Sequence, residues 1–305
     1  MTQPVTPPAA HPARPWRGVL VATALPLNED LSINYGRFAE HCAWLVENGC
    51  DGVVPNGSLG EYQVLTPDER AKVVKTAVAA VGGPRVMPGV AAYGSAEARR
   101  WAEQAKDAGC ASVMLLPPNA YRADERSVLA HYEEVAKAGL PVVAYNNPVD
   151  TKVDLMPELL AKLHAEGYIH GVKEFSGDVR RAYRIAEIAP ELDLLIGADD
   201  VLLELALAGA KGWIAGYPNM LPAASVELYR AAVSGDLGTA TKLYRQLHPL
   251  LRWDSKPEFV QAIKLSMDLA GRHGGPCRPP RVPLLPEQEK AVRTATERVI
   301  AAGLG

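Results

Sequence analysis

The stretch His-Gly-Val-Lys-Glu-Phe-Ser-Gly-Asp at residues 170–178 closes a short apolar run with a lysine and a glutamate, just before a turn. A lysine at the end of a buried strand is costly unless its amine is neutral, paired or used in chemistry. Enclosed by Val172, a barrel interior and an aromatic ring, the charged form of Lys173 is disfavoured, and a free amine attacks a carbonyl carbon to give a Schiff base. The competing reading is an ion pair with Glu174 or another carboxylate. Position separates Lys173 from the other lysines: Lys211 precedes its apolar run, and Lys152 lies inside a loop.

Tyr145 ends the preceding apolar run, so its phenol faces the same space and offers a proton relay; packing with a wet hydroxyl is the alternative. In Gly57-Ser58-Leu59-Gly60-Glu61 the two glycines flank a tight turn whose N–H groups suit a carboxylate, with the Ser58 hydroxyl as a relay. Many Gly-x-x-Gly pairs only make turns, and Glu61 then caps or braces this one. The turn Gly197-Ala198-Asp199-Asp200 is acidic where phosphate-binding barrels favour glycine-rich loops, which disfavours a phosphorylated substrate. Its aspartates are expected to cap a helix over Val201–Ala208.

These residues need elements to position them. From residue 18 onward, short apolar runs alternate with amphipathic stretches ending near glycine, the pattern of parallel strands with crossover helices. The runs are Val19–Ala24, Asp51–Pro55, Arg85–Val90, Ala111–Leu116, Pro141–Tyr145, His170–Glu174, Asp193–Gly197 and Gly212–Ala215. Eight of them predict an α/β fold, a (β/α)8 TIM barrel, with chemistry at the carboxyl ends of the strands. Thr66-Pro67-Asp68-Glu69 carries a capping box, and Val73, Val74, Ala77, Val78 and Val81 form the buried stripe of the helix it opens.

After Tyr217 the pattern becomes helical: Pro222–Val233, Thr239–Leu251, Pro257–Ala270 and Pro286–Ala302. The expected organisation is a flexible leader at 1–16, the barrel at 17–235 and a C-terminal helical extension at 236–305 packed on it.

The chain has 305 residues and a formal net charge of −3, with no apolar stretch of membrane length, so neither nucleic acid nor a membrane is an expected partner. The Pro- and Ala-rich start has no signal-peptide core, which predicts a cytoplasmic protein. Cys42, Cys50, Cys110 and Cys277 show no metal-ligand spacing, and the histidines are scattered, so no metal is expected. No Gly-x-Gly-x-x-Gly follows a strand, which argues against a nicotinamide cofactor; no cofactor is expected.

In this order, "GSLGE", "YNNP", "GVKE" and "GADD" resemble the motifs of the dihydrodipicolinate synthase / N-acetylneuraminate lyase family of Schiff-base aldolases, over about residues 16–300. The resemblance implies an imine between Lys173 and a 2-oxo acid, Tyr145 as acid/base and Ser58 in the relay. It implies that the backbone at Ser58 and Leu59, with Gly57 and Gly60 in the same loop, binds the substrate carboxylate. Gly197 and Ile214 would line the pocket floor, with Asn147, Asp150 and Tyr121 beside the substrate. It further implies a homo-oligomer, dimer or tetramer.

Departures from the synthase pattern point away from lysine biosynthesis. The synthases carry an arginine shortly after Tyr-Asn-x-Pro for a second carboxylate, whereas this chain has Asp150 there, which repels a dicarboxylate. Ser58-Leu59 replaces a Thr-Thr pair, and Ala120 stands at the place of a relay tyrosine, with Tyr121 displaced by one. The expected function is a metal-free lyase performing aldol cleavage, dehydration or deamination, as in sugar-acid or hydroxyproline breakdown. The alternatives are an authentic 4-hydroxy-tetrahydrodipicolinate synthase and, as a minor reading, a ligand-binding barrel without turnover.

Overall fold

The structure, a computed structural model, describes residues 14–305. The first thirteen residues of the expected leader lie outside the described residues. Trp16, at the leader's other end, is buried, and its indole Nε1 donates to Asp193 at 2.8 Å, while Arg17 donates to both oxygens of the same carboxylate.

Seven parallel strands form one sheet: β1 (Gly18–Ala22), β2 (Gly52–Val54), β3 (Val113–Leu115), β4 (Val142–Asn146), β5 (Gly171–Glu174), β6 (Asp193–Ile196) and β7 (Gly212–Ala215). Their order is β2-β1-β7-β6-β5-β4-β3, which leaves β2 and β3 as edges. The remaining run, Arg85–Val90, lies between those edges and makes isolated parallel bridges, Val86 to Val53 and Gly89 to Met114. Met87 N–H donates to the Val53 carbonyl at 3.0 Å and Val90 N–H to that of Met114 at 2.9 Å. It is therefore not the continuous strand expected, and Pro88, which has no N–H to donate, accounts for the broken ladder. With that segment the wall of a (β/α)8 barrel is complete.

The helices follow the expected capping chemistry. Thr66 Oγ1 accepts from Glu69 N–H and the Glu69 carboxylate accepts from Thr66 N–H, so the box at the start of Pro67–Val81 is formed. Val73, Val74 and Ala77 face the barrel, and Arg70, on the same stripe, is buried with them. A correction concerns Asp199 and Asp200, neither of which caps Leu202–Leu207: the Asp199 carboxylate turns to the β7 exit, and that of Asp200 accepts from the Ser255 hydroxyl.

Beyond β7 run Pro222–Ser234, Leu237–Leu251, Phe259–Leu269 and Pro286–Ala301. The third of these starts two residues later than expected, at Phe259, leaving 252–258 as a loop over the carboxyl ends of the strands. A buried ion pair ties this C-terminal segment to the glycine loop: Lys264 Nζ donates to Glu61 Oε1 at 2.6 Å, with both side chains almost fully enclosed. Glu61 Oε2 accepts from Arg278 N–H at 2.9 Å, and the Arg278 guanidinium is paired with Glu69.

Removing one partner of such a pair strands a buried charge, which costs about 3–5 kcal/mol. Lys264→Met is expected to lower unfolding stability by about that amount in urea titrations, and the double variant Lys264→Met, Glu61→Gln to recover part of the loss.

Candidate active site

Strand alternation decides which way the two charges of Val-Lys-Glu point, since neighbouring side chains leave a sheet on opposite faces. Glu174 faces away from the amine: its oxygens accept from Asn146 Nδ2 at 2.9 Å and from Ser176 N–H at 2.6 Å. That removes Glu174 as the ion-pair partner of Lys173. Tyr145 and Lys173 are register partners across β4 and β5, so their side chains share a face.

Lys173 is buried, with Nζ 4.3 Å from the Tyr145 ring centroid and 5.6 Å from that of Phe175. Burial holds its pKa below the usual lysine range, and the negative fields of Asp254 and Asp199 offset part of that shift. Burial likewise pushes the Tyr145 phenol well up, while Asn147 Nδ2 donates to its oxygen at 3.3 Å. Asn147 also donates to Asp150 Oδ2 at 2.8 Å and accepts from Asp150 N–H, so the turn after β4 is locked around one amide.

A cavity of about 850 Å³ opens above these residues at the carboxyl ends of the strands. Of the candidates named from sequence, Lys173, Tyr145, Ser58, Gly57, Leu59, Asn147 and Asp150 line it. Gly60, Gly197, Ile214 and Tyr121 do not. Gly60 packs against the Thr23 carbonyl, and Ile214 is enclosed within β7. Tyr121 is 61% exposed, so in a single chain it does not stand in for a relay tyrosine. Gly197 supports Lys173 from behind: a Cβ there would stand 2.4 Å from the Glu174 carbonyl oxygen and 3.0 Å from Lys173 Cγ.

Sequence reasoning missed two buried, charged residues of the cavity wall. Arg70 lines it, donates to the Ala91 and Gly89 carbonyls, and lies 4.5 Å from the Trp101 ring centroid. An arginine on the apolar stripe Arg70, Val73, Val74, Ala77 was the available signal. Asp254 comes from the 252–258 loop, and its only signal is an acid directly after a buried tryptophan.

Burial pushes the Asp254 carboxyl up to about 6, against the opposing pull of Lys173. Asp199 is also raised by burial, although it accepts from Trp213 Nε1 at 2.9 Å and from the N–H groups of Gly216 and Tyr217. The described residues contain no cluster of three or more His, Cys, Asp or Glu arranged to hold a metal ion. Among them, no helix is long and apolar enough to cross a membrane.

The fold and the site together define a (β/α)8 barrel enzyme with an amine and a phenol at the mouth of the barrel. The model of the dihydrodipicolinate synthetase family matches residues 15–299, and the chain belongs to that family, whose members are lyase-type enzymes. It is 32% identical over 281 residues to the 4-hydroxy-tetrahydrodipicolinate synthase of Methanothrix thermoacetophila, covering 91% of this chain and 95% of that one. It is also 32% identical to the protein of the same name in Anaeromyxobacter dehalogenans, covering 94% and 97%. Among solved structures, a putative dihydrodipicolinate synthetase from Pseudomonas aeruginosa superposes with a TM-score of 0.88 at 28% identity, covering 93% of this chain and 99% of that one. The dihydrodipicolinate synthase of Aquifex aeolicus gives 0.88 at 27%, covering 94% and 98%.

Because the atom that a Cβ at Gly197 would meet first belongs to the backbone, the clash has no cheap relief. Gly197→Ala is expected to destabilise by about 1–3 kcal/mol in urea. The same substitution displaces Lys173, which a slower reaction of its amine with a carbonyl reagent would reveal.

Proposed function

We propose that the protein is a lyase that holds a 2-oxo acid as a Schiff base on Lys173. The observation that carries this is the amine itself: buried against the Tyr145 ring, with its sequence neighbour Glu174 turned away and a cavity in front of it. Burial favours the neutral, nucleophilic form, and the positive imine nitrogen then acts as an electron sink for a bond beside the former carbonyl. Such a sink needs no metal. Tyr145 is suited to move a proton at the imine and Ser58 to extend the relay from the cavity wall. The turn at Gly57, Ser58 and Leu59 is the proposed seat of the substrate carboxylate.

The step is aldol cleavage, dehydration or deamination of a hydroxylated 2-oxo acid or cyclic imino acid, all of which pass through the same imine. Asp150 lines the cavity where a synthase needs a cation, and its carboxylate is held there by Asn147. A neutral or hydroxylated tail suits that wall better than a second carboxylate. We further propose a homo-oligomer in the cytoplasm, whose subunit contact would cover the exposed Tyr121 ring.

The second reading, an authentic 4-hydroxy-tetrahydrodipicolinate synthase, is favoured by the name that the 32% identical relatives share. Of two measurements, the first tests the imine that both readings share and the second separates them. Borohydride reduction in the presence of pyruvate is expected to add the ligand's mass at Lys173, and Lys173→Ala to abolish both adduct and turnover; turnover that survives in that variant refutes the imine. With pyruvate and aspartate semialdehyde together, condensation is expected to be at background level while hydroxylated 2-oxo or imino acids are consumed. Vigorous condensation would instead establish the synthase reading.

A further inference from the structure

Asp254 belongs to none of the four sequence motifs. It lies between the helices Leu237–Leu251 and Phe259–Leu269, so the C-terminal segment brings it to a cavity otherwise built by barrel strands and their loops. The residue is buried, yet it lines the cavity together with Lys173. Gly216, just after β7, makes room for it: an added Cβ there would stand 2.4 Å from Asp254 Oδ1. The titratable groups whose fields it shares are Lys173 on β5, Tyr145 on β4, Asp199 and Asp200 beyond β6, and Tyr217 beyond β7.

Two carboxylates act on the Lys173 amine, and their surroundings give them different roles. Asp199 is committed to the Trp213 indole and to two backbone N–H groups, and it does not line the cavity. Asp254 leans on a backbone group of Asp199 and opens on the cavity. Tyr145, its phenol raised by burial, is a weak acid for protonating a departing oxygen. A carboxyl that burial pushes up toward neutrality is closer to what general acid catalysis there requires.

We propose that Asp254 is a catalytic acid of the Schiff-base step, protonating the oxygen that leaves when the adduct on Lys173 becomes an iminium. The inference rests on the function proposed above. The Lys173 amine adds to the keto carbon, a proton moves from nitrogen to oxygen, and a carbinolamine results. Asp254 gives its proton to that hydroxyl, the C–O bond breaks, water leaves, and the nitrogen lone pair forms the C=N bond. The carboxylate left behind is counter-ion to the iminium, and hydrolysis returns the proton to it.

The test is the rate at which pyruvate becomes borohydride-trappable on the full-length protein between pH 5 and 9. A purely electrostatic role makes a contrary prediction: Asp254→Asn removes a negative field that holds the amine charged, frees more amine and speeds trapping. The proposed role predicts trapping slower by about 100-fold or more, with full adduct at Lys173 at long times and the limb near pH 6 gone from the profile. Asp254→Glu keeps the acid and carries the test should the amide variant not fold. Its rate should stay within about tenfold of the parent, with the limb displaced. Trapping as fast as the parent in Asp254→Asn, or an unmoved limb in Asp254→Glu, overturns the role of Asp254 alone. A parent protein that forms no adduct overturns the Schiff-base reading and this inference with it.

Discussion

The site depends on keeping one amine out of water without giving it a carboxylate in contact. Removing an ammonium from water disfavours its charge by several kcal/mol, even after relaxation. A carboxylate at 4 Å returns about 4 kcal/mol at an effective dielectric constant near 20, enough to restore the charge. Glu174 would stand that close if it shared a face with Lys173, and strand alternation prevents it. Asn146 and Ser176 then satisfy the glutamate on its own side. The acids that do act on Lys173 come from other elements, Asp199 from beyond β6 and Asp254 from the C-terminal loop.

That arrangement makes the C-terminal segment part of the site. Glu61 occupies a left-handed conformation at φ 55°, a strained position for a residue with a side chain, directly after the glycine loop that carries Ser58. Lys264 and Arg278 both bind its carboxylate, so the segment that presents Asp254 also fixes the loop on the opposite wall. Arg278 extends the tie to Glu69 and through it to the capping box of the Pro67–Val81 helix. The two walls of the cavity are therefore tied by one buried charge pair, which is intolerant of losing one member, and by the half-buried Arg278–Glu69 pair.

Much of this was legible in the sequence, because the barrel repeats a local pattern. Strand alternation, caps such as Thr66 and the position of Lys173 at the end of a run follow from residues near one another in the chain. The interrupted segment at Arg85–Val90 was readable as apolar but not as bridged, although Pro88 gave the reason for the interruption. Asp199 was misread as a helix cap because capping is the usual fate of an acid before a helix; Trp213, fourteen residues on, competes for its oxygens. Asp254 had only a weak local signal, an acid after Trp253, and the packing of the C-terminal helices brings it to the cavity of Lys173. Gly197 and Ile214 were assigned to the pocket floor; strand geometry puts one behind the lysine and the other within the sheet.

The charges around the cavity also bear on what it admits. Arg70 is the deep cation of the wall besides Lys173, but its guanidinium already donates to two backbone carbonyls and stacks on Trp101. Its buried Nε has no hydrogen-bond partner, so one donor is left for a substrate group without loss of those contacts. Lys256 and Arg281 also line the cavity, and each is stacked on its own aromatic ring, Trp253 and Phe259. The side where Asn147 holds Asp150 is left acidic. Under the proposed function, the carboxylate would lie at the glycine loop, the keto carbon at Lys173 and a polar, uncharged remainder toward Asp150.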